Sequence, residues 1–432
     1  VRGGDRFFAL APAPQLLSHA CPMKSSRAAL LLTCLLGLAP GASWGLGIRI
    51  SDQNPEATAR GNAFTATADN PSAVYYNPAG ITQLEGTQTL LGAYAITLKT
   101  KVDLDAGDPH SFSSTNDGWQ AAPQAFLTWK PKQYPIALGL GIYAPYGFAL
   151  DYPDDTPFRT LAHKGSIEYL TVNPVFAAQI SRSFSAAIGA TINYGKAELE
   201  RGVLAKGDQF RFEGDDVAYG FNAGLLWTPH RMHHFGVNYR SATTLDFDGD
   251  THLQYDGFTV PTPFGPFPVP GVDQREDASA KFQFPQTIVV GYAFTPTPDW
   301  NFEVNIDWTD WDSLNVVTLR QKSGDVALPF NWESSFFYEF GVTKKFAYGL
   351  HGSAGYIYSE NSVPNESFNP TIPDSNRHIF SVGVGQQFTH FNWDLAYQYA
   401  HGPSRTIDQG TAADGRYRFD SHAVTLSLGY HF

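Results

Sequence analysis

The last ten residues of the chain alternate without a break, with Val424, Leu426, Leu428, Tyr430 and Phe432 on one face and Ala423, Thr425, Ser427, Gly429 and His431 on the other. Successive strand side chains point to opposite faces, so one face is wholly apolar and the other small or polar. The pattern recurs. Trp300, Phe302, Val304, Ile306 and Trp308 alternate with Asn301, Glu303, Asn305, Asp307 and Thr309, and residues 391–400 and 184–194 repeat the scheme. A spanning helix needs about 20 apolar residues, whereas the longest apolar run, Ala28 to Ala39, is about 12 and lies near the N-terminus. Charged residues make up 16% of the chain and aromatic ones 14%, against about 25% charged in a soluble domain. A helical bundle in the bilayer and an ordinary soluble domain are both excluded. Strands with one lipid face and one watery face remain.

Counting from Gly86 gives about 14 such strands, an even number. Their connections sort by length. Short turns fall near residues 130–134, 181–184, 228–233, 295–299, 344–347 and 389–391, and long loops near 103–117, 147–164, 201–210, 249–273, 310–330, 358–376 and 401–417. Turns on the periplasmic side and loops outside are the outer-membrane arrangement. The expected fold is therefore all-β: a 14-stranded antiparallel transmembrane barrel over residues 86–432, multi-pass in the outer membrane of a Gram-negative bacterium and monomeric. The terminal Phe432, with Tyr430 before it, resembles the C-terminal signal of such barrels, which implies the barrel assembly machinery as a partner. The net charge of −12 argues against nucleic acid, whose phosphates demand a basic face. Both cysteines, Cys21 and Cys34, precede the barrel, so the mature chain has neither a disulfide framework nor a Cys-ligated metal.

Residues 23–45 carry a basic start, a short apolar stretch and a small-residue end, the pattern of a secretory signal cleaved near Ala42 to Gly45. Residues 1–22 precede Met23, and a leading Val is what a translated GTG codon gives, so they are read as an over-extended gene start. Two motifs in this stretch are coincidental. Thr33-Cys34 makes a poor lipobox, and Gly41 to Gly45 matches G-x-S-x-G without the strand and helix a nucleophile elbow requires. Residues 46–85 are rich in Ala, Thr, Asn and Gly, lack lipid-facing alternation, and are too long for an idle tail. They most economically fill the lumen as a hatch. A periplasmic extension is the alternative.

The run from Ser51 to Gly80, above all Asn77-Pro78-Ala79-Gly80, resembles the N-terminal hatch of the long-chain fatty acid transporter family and its aromatic-hydrocarbon relatives. The likeness continues through Ala144 to Gly147, Trp308 to Trp311, Ser362 to Pro364, Ile372 to Asp374 and Arg377. This resemblance implies a plugged barrel that captures a hydrophobic molecule at its outer loops, holds it in a lumenal pocket and releases it sideways at a kinked third strand. Mapped onto this chain, Asn77, Pro78, Ala79 and Gly80 are the hatch gate and touch the kink, which Gly139, Gly141 and Pro145 could supply, because glycine weakens pairing and proline removes a ladder donor. Glycines for steric room and a proline at a strand end are the ordinary alternative. Arg201, closing the fifth strand, is the candidate for the substrate head group, and a solvated strand-end arginine is the bland reading. Phe264 and Phe267, on the Pro-rich loop 258–272, are a hydrophobic landing surface or merely a rigid loop.

No catalytic or metal set assembles. His230, His233 and His234 fall in a periplasmic turn; Asp246, Asp248 and Asp250 lack the terminal Glu of a calcium loop; Glu303 and Asp307 read as lumen lining. No cofactor is expected, and the protein is not expected to be an enzyme. The expected partners are a hydrophobic small molecule and the lipopolysaccharide or lipid around the barrel. Passive uptake of long-chain fatty acids is the leading reading, with aromatic or alkane hydrocarbons as the alternative and a general diffusion porin as the alternative of a different class. A hydrolase would need a Ser/His or Asp/His set that is not found.

Overall fold

The computed structural model describes residues 48–104, 111–114 and 118–432; the expected extension 1–22, the expected signal 23–45 and both cysteines lie outside them. Fourteen antiparallel strands follow one another around a closed barrel. They are β1 (Gly86–Leu104), β2 (Gln120–Lys130), β3a and β3b (Ile136–Tyr143, Gly147–Asp151), β4 (Lys164–Ser181), β5 (Phe184–Arg201), β6 (Gln209–His230), and β7a and β7b (His233–Arg240, Thr243–Tyr255). After them come β8a and β8b (Val272–Phe284, Thr287–Thr297), β9 (Trp300–Thr309), β10 (Ser335–Lys345), β11 (Leu350–Ser359), β12 (Arg377–Gln387), β13 (Phe391–Ile407) and β14 (Gly415–His431). β14 pairs with β1 from Gln88↔His431 to Leu104↔Gly415, so the sheet closes on itself at this seam. The strand start at Gly86 and the sorting of connections agree with the sequence pattern. Ser181–Phe184 and His230–His233 are tight turns, while the opposite end carries the long loops. One of these, Phe258–Thr262 paired with Gly265–Val269, is a separate two-stranded sheet.

Burial is inverted relative to a soluble protein. On β9 the apolar Val304 and Ile306 are 44% and 53% exposed, whereas Glu303 and Asp307 between them are 2% exposed. Carboxylates are buried only when partnered. The partners come from the N-terminal segment, residues 48–85, which packs inside the barrel. Its helix α1 (Pro55–Ala59) starts at Asn54, whose side chain accepts from Ala57 N at 3.2 Å. A second, α2 (Ala73–Tyr76), runs into a 3-10 turn at Pro78–Gln83 that Asn77 caps by accepting from Ala79 N at 3.2 Å. Val74, Ile81 and Leu84 pack with Phe126 of β2, Ala137 of β3a and Val175 of β4. Gly224 of β6 sits where a Cβ would lie 2.3 Å from Asn77 Oδ1, so the turn rests directly on the wall.

Candidate functional site

Strands β3b to β8a and the outer loops line a cavity of ≈ 330 Å³, within the usual range for small-molecule sites. Phe148, Phe212, Phe247, Phe282, Leu319 and Trp332 make most of it apolar. Arg201, the last residue of β5, is the only basic residue in the lining among the described residues, with Glu198 and Glu366 also at the wall. Its guanidinium lies 5.1 Å from the Phe210 ring centroid and forms no ion pair among the described residues. Beside it His163 Nδ1 and Glu200 Oε1 are 2.9 Å apart, and that carboxylate holds the His163 imidazole above its usual pKa against the effect of burial. Tyr146, Tyr169 and Phe284 floor the cavity region, with centroids 4.7 to 5.2 Å apart. A polar side chain in such a wall fixes the orientation of an otherwise oily ligand.

Below this floor the third strand is interrupted. β2 pairs with β3a only from Ala125↔Ile142 to Trp129↔Leu138, and β3b pairs with β4 alone. The upper residues of β2, from Gln120 to Gln124, therefore have a partner on the β1 side only. The backbone of the interruption is satisfied from inside. Ile50 N donates to Pro145 O and Gly147 N to Ile48 O, each at 2.8 Å, and Gln53 Nε2 donates to Ala144 O at 2.8 Å. Residues 48–50 thus add a short strand where Pro145 ends the wall's own ladder.

The rest of the N-terminal segment is held by buried charge. Glu303 accepts from Ala66 N at 2.7 Å, Thr67 N at 3.1 Å and Arg60 Nη2 at 3.0 Å, and the Thr67 hydroxyl also donates to it. Asp307 takes a two-pronged contact from Arg49, at 2.8 and 2.6 Å. Bidentate arginine pairs are strong and directional, so these two carboxylates fix the segment's register against β9.

The sequence candidates are distributed differently from expectation. Gly139 and Gly141 do not form the kink: both lie in β3a, paired with β2 and β4. A Cβ at either would come within 2.7 to 2.9 Å of the Val74 side chain, so they make room for the N-terminal segment. The interruption lies at Ala144 to Tyr146, and Pro145 is the member of the trio within it. Asn77, Pro78 and Ala79 do not touch it either. Asn77 Nδ2 donates to Thr65 O at 2.8 Å and to Leu225 O of β6 at 3.0 Å, and Pro78 faces Gly224. Gly80 is wedged against Ala68, whose carbonyl oxygen would be 2.2 Å from an added Cβ. Phe264 and Phe267 stand on the outer hairpin, with Phe264 100% exposed. His233 and His234 spend their Nδ1 atoms on Tyr292 and Thr228, and Asp246 pairs with Lys281 at 3.1 Å. Glu303 and Asp307 were passed over in the sequence as lining. Their spacing on one strand face was visible, but their partners lie more than 200 residues away.

A closed barrel with apolar outward faces, a lumen occupied by its own N-terminal segment and an apolar outer cavity is the architecture of an outer-membrane transport protein. The chain belongs to the outer membrane protein transport protein family (OMPP1/FadL/TodX), whose model matches residues 38–432. It is 22% identical over 445 residues to the long-chain fatty acid transport protein of Escherichia coli O6:H1, covering 93% of this chain and 97% of that one. Outer membrane protein P1 of Haemophilus influenzae is 21% identical over 475 residues, covering 95% and 100%. Among solved structures, a Pseudomonas aeruginosa FadL homologue superposes with a TM-score of 0.77 at 18% identity, covering 90% of this chain and 100% of that one. The Pseudomonas putida toluene transporter TodX gives 0.70 at 17%, covering 90% and 99%. The protein is an outer-membrane transporter of hydrophobic molecules.

Proposed function

We propose that this chain takes up long-chain fatty acids, and the observation carrying that choice is Arg201 as the single basic residue among the described lining of a mostly apolar cavity. An alkane gains nothing from a guanidinium and an aromatic ring gains a cation–π contact of about 0.5–1 kcal/mol, whereas a carboxylate gains a charge-assisted bond of about 1.5–3 kcal/mol. Each CH₂ moved from water into the cavity is worth about 0.8 kcal/mol, so a 16-carbon tail is drawn in without any energy source. In this reading Phe264 and Phe267 on the outer hairpin offer the first apolar contact. The acid then settles with its head at Arg201. Residues 46–85 act as a hatch whose shift, through the Asn77-Pro78-Ala79-Gly80 turn, opens the way to the interruption at Pro145 and from there sideways into the membrane.

Uptake of labelled oleate and labelled toluene is compared in cells lacking their own transporters and expressing wild type, Arg201→Gln, or Asn77→Ala with Pro78→Ala. Oleate uptake that needs the protein and falls in both variants supports the proposal. Protein-dependent uptake of toluene alone moves the assignment to aromatic hydrocarbons, and high open-channel conductance without either dependence moves it to a diffusion porin.

A further inference from the structure

Four arginines are buried among the described residues, and three have a carboxylate: Arg60 with Glu303, Arg159 with Asp154 and Arg377 with Asp374. The fourth, Arg240 at the end of β7a, is 8% exposed and has none. Its Nη1 donates to Tyr143 Oη at 2.7 Å and its Nη2 to Tyr75 O at 3.3 Å, and it lies over both rings, 4.7 Å from the Tyr75 centroid and 5.4 Å from that of Tyr143. A buried cation without a counter-ion is costly to keep.

Its location is informative. Inward-facing residues on a strand succeed one another about every 7 Å. Ile167 and Phe282 line the outer cavity; one step down β4 and β8a come Tyr169 and Phe284, and Thr171 another step below. Tyr169, Phe284, Pro145 and Tyr146 border a small void of ≈ 10 Å³ together with Arg240, room for about one water. Arg240 therefore lies directly under the aromatic floor and against the interruption of the third strand. Its bond to Tyr75 O also reaches α2 of the N-terminal segment.

We propose that Arg240 is a second carboxylate station, which receives the acid head group after it leaves Arg201 and passes the Tyr146, Tyr169 and Phe284 floor. This rests on the fatty-acid reading above. A carboxylate arriving at Arg240 supplies the missing counter-ion and competes for the guanidinium with Tyr75 O. The contact between wall and α2 loosens when cargo is present and stays made when it is not. Selectivity for acids is then exerted twice, once at the mouth and once beside the exit.

The test uses the full-length protein in outer membranes, with labelled oleate and oleyl alcohol as probes that share a tail and differ in the head. Arg240→Gln is expected to lower the oleate uptake rate about ten- to a hundredfold, the worth of one charge-assisted bond, while alcohol uptake stays within about twofold. Equilibrium binding of oleate at the outer cavity is expected to be unchanged, and Arg240→Lys to recover part of the rate. Equal loss for both probes, with Lys giving no rescue, makes Arg240 a packing residue and overturns the proposal; so does unchanged oleate uptake in Arg240→Gln. If Arg240→Gln fails to assemble, Tyr169→Ala in the floor serves instead, and it must speed oleate release without altering the preference for acid over alcohol. A faster release that comes with a loss of that preference refutes the second station. Wild type that carries the alcohol but not oleate overturns the fatty-acid reading and this inference with it, leaving a transporter of neutral hydrophobes, whereas oleate uptake that is protein-dependent but indifferent to Arg240 overturns this inference alone.

Discussion

Glu303→Gln removes one negative charge from a carboxylate that holds two backbone amides, a hydroxyl and a guanidinium of the N-terminal segment. Breaking a buried pair by neutralising one member costs about 3–5 kcal/mol, chiefly because the other charge is stranded. Arg60 is 1% exposed and keeps Asn301 Oδ1 at 3.1 Å, so the lower part of that range applies, about 3–4 kcal/mol. The amide group of Gln also turns a donor toward Ala66 N, Thr67 N or Arg60, groups that can only donate. None of this touches the ladder joining β8b, β9 and β10, which is built from backbone pairs. The cost therefore falls on docking of residues 48–85 and not on closure of the barrel. At about 1.4 kcal/mol per decade, docking weakens by roughly a hundredfold to a thousandfold. Native-state hydrogen exchange of Ala66 and Thr67, in protein embedded in lipid, reads this directly. Protection of those amides is expected to fall by that factor while β9 amides keep theirs and the heat-modified shift of the barrel on gels is unchanged. Unaltered protection at Ala66 and Thr67, or a loss shared equally by β9, would refute the reasoning.

Three further outcomes follow from local geometry. Gly224→Val drives a side chain into Asn77 Oδ1 and Pro78, and is expected to raise ion leakage through planar bilayers with the barrel still assembled; leakage at the wild-type level counts against the close contact. Ala280→Trp overfills the ≈ 330 Å³ cavity and is expected to abolish binding of a fluorescent fatty acid at a stability cost of about 1–3 kcal/mol, whereas retained affinity would place the ligand elsewhere. The His163–Glu200 contact has a raised imidazole pKa, so its contribution is complete below the ordinary value of 6.5 and is lost as pH climbs through the higher folded value. Resistance of the 151–164 loop to protease is expected to fall over that interval in wild type and to show no such step in His163→Gln; a step that persists in the variant assigns it to another group.

The barrel was legible because lipid imposes a strict period of two: each outward face must be apolar along its whole length, and the turns and loops between faces keep separate ends. The interruption was only half legible. Pro145 signals a missing donor from its chemistry alone, but glycine has two uses in a strand, weakening it or making space beside it. Gly139 and Gly141 serve the second use for Val74, a residue more than 60 positions earlier. The Asn77-Pro78 turn does lie against the third strand, where its Ile81 packs on Gly139, but the Asn77 amide reaches Leu225 on β6. Such matches depend on how a segment without its own periodicity lies inside a cylinder, and nothing local encodes that. Arg240 had no signature at all, since a single arginine before a bend reads as solvated until the three-dimensional burial is known.

The short strand that Ile48 to Ile50 lend to Pro145–Gly147 has a consequence for how the molecule must be put together and how tightly it stays shut. In hydrocarbon no water waits to take over an abandoned amide or carbonyl, and each one left bare costs several kcal/mol. Withdrawing the segment would leave those groups bare, so it is opposed by solvation however loosely the side chains fit. The same economy orders assembly. Residues 48–53 are thus expected to lodge within the curling sheet before the seam between β14 and β1 zips, because among the described residues the wall offers no other partner for the two backbone bonds of residues 48–50 and the one from Gln53.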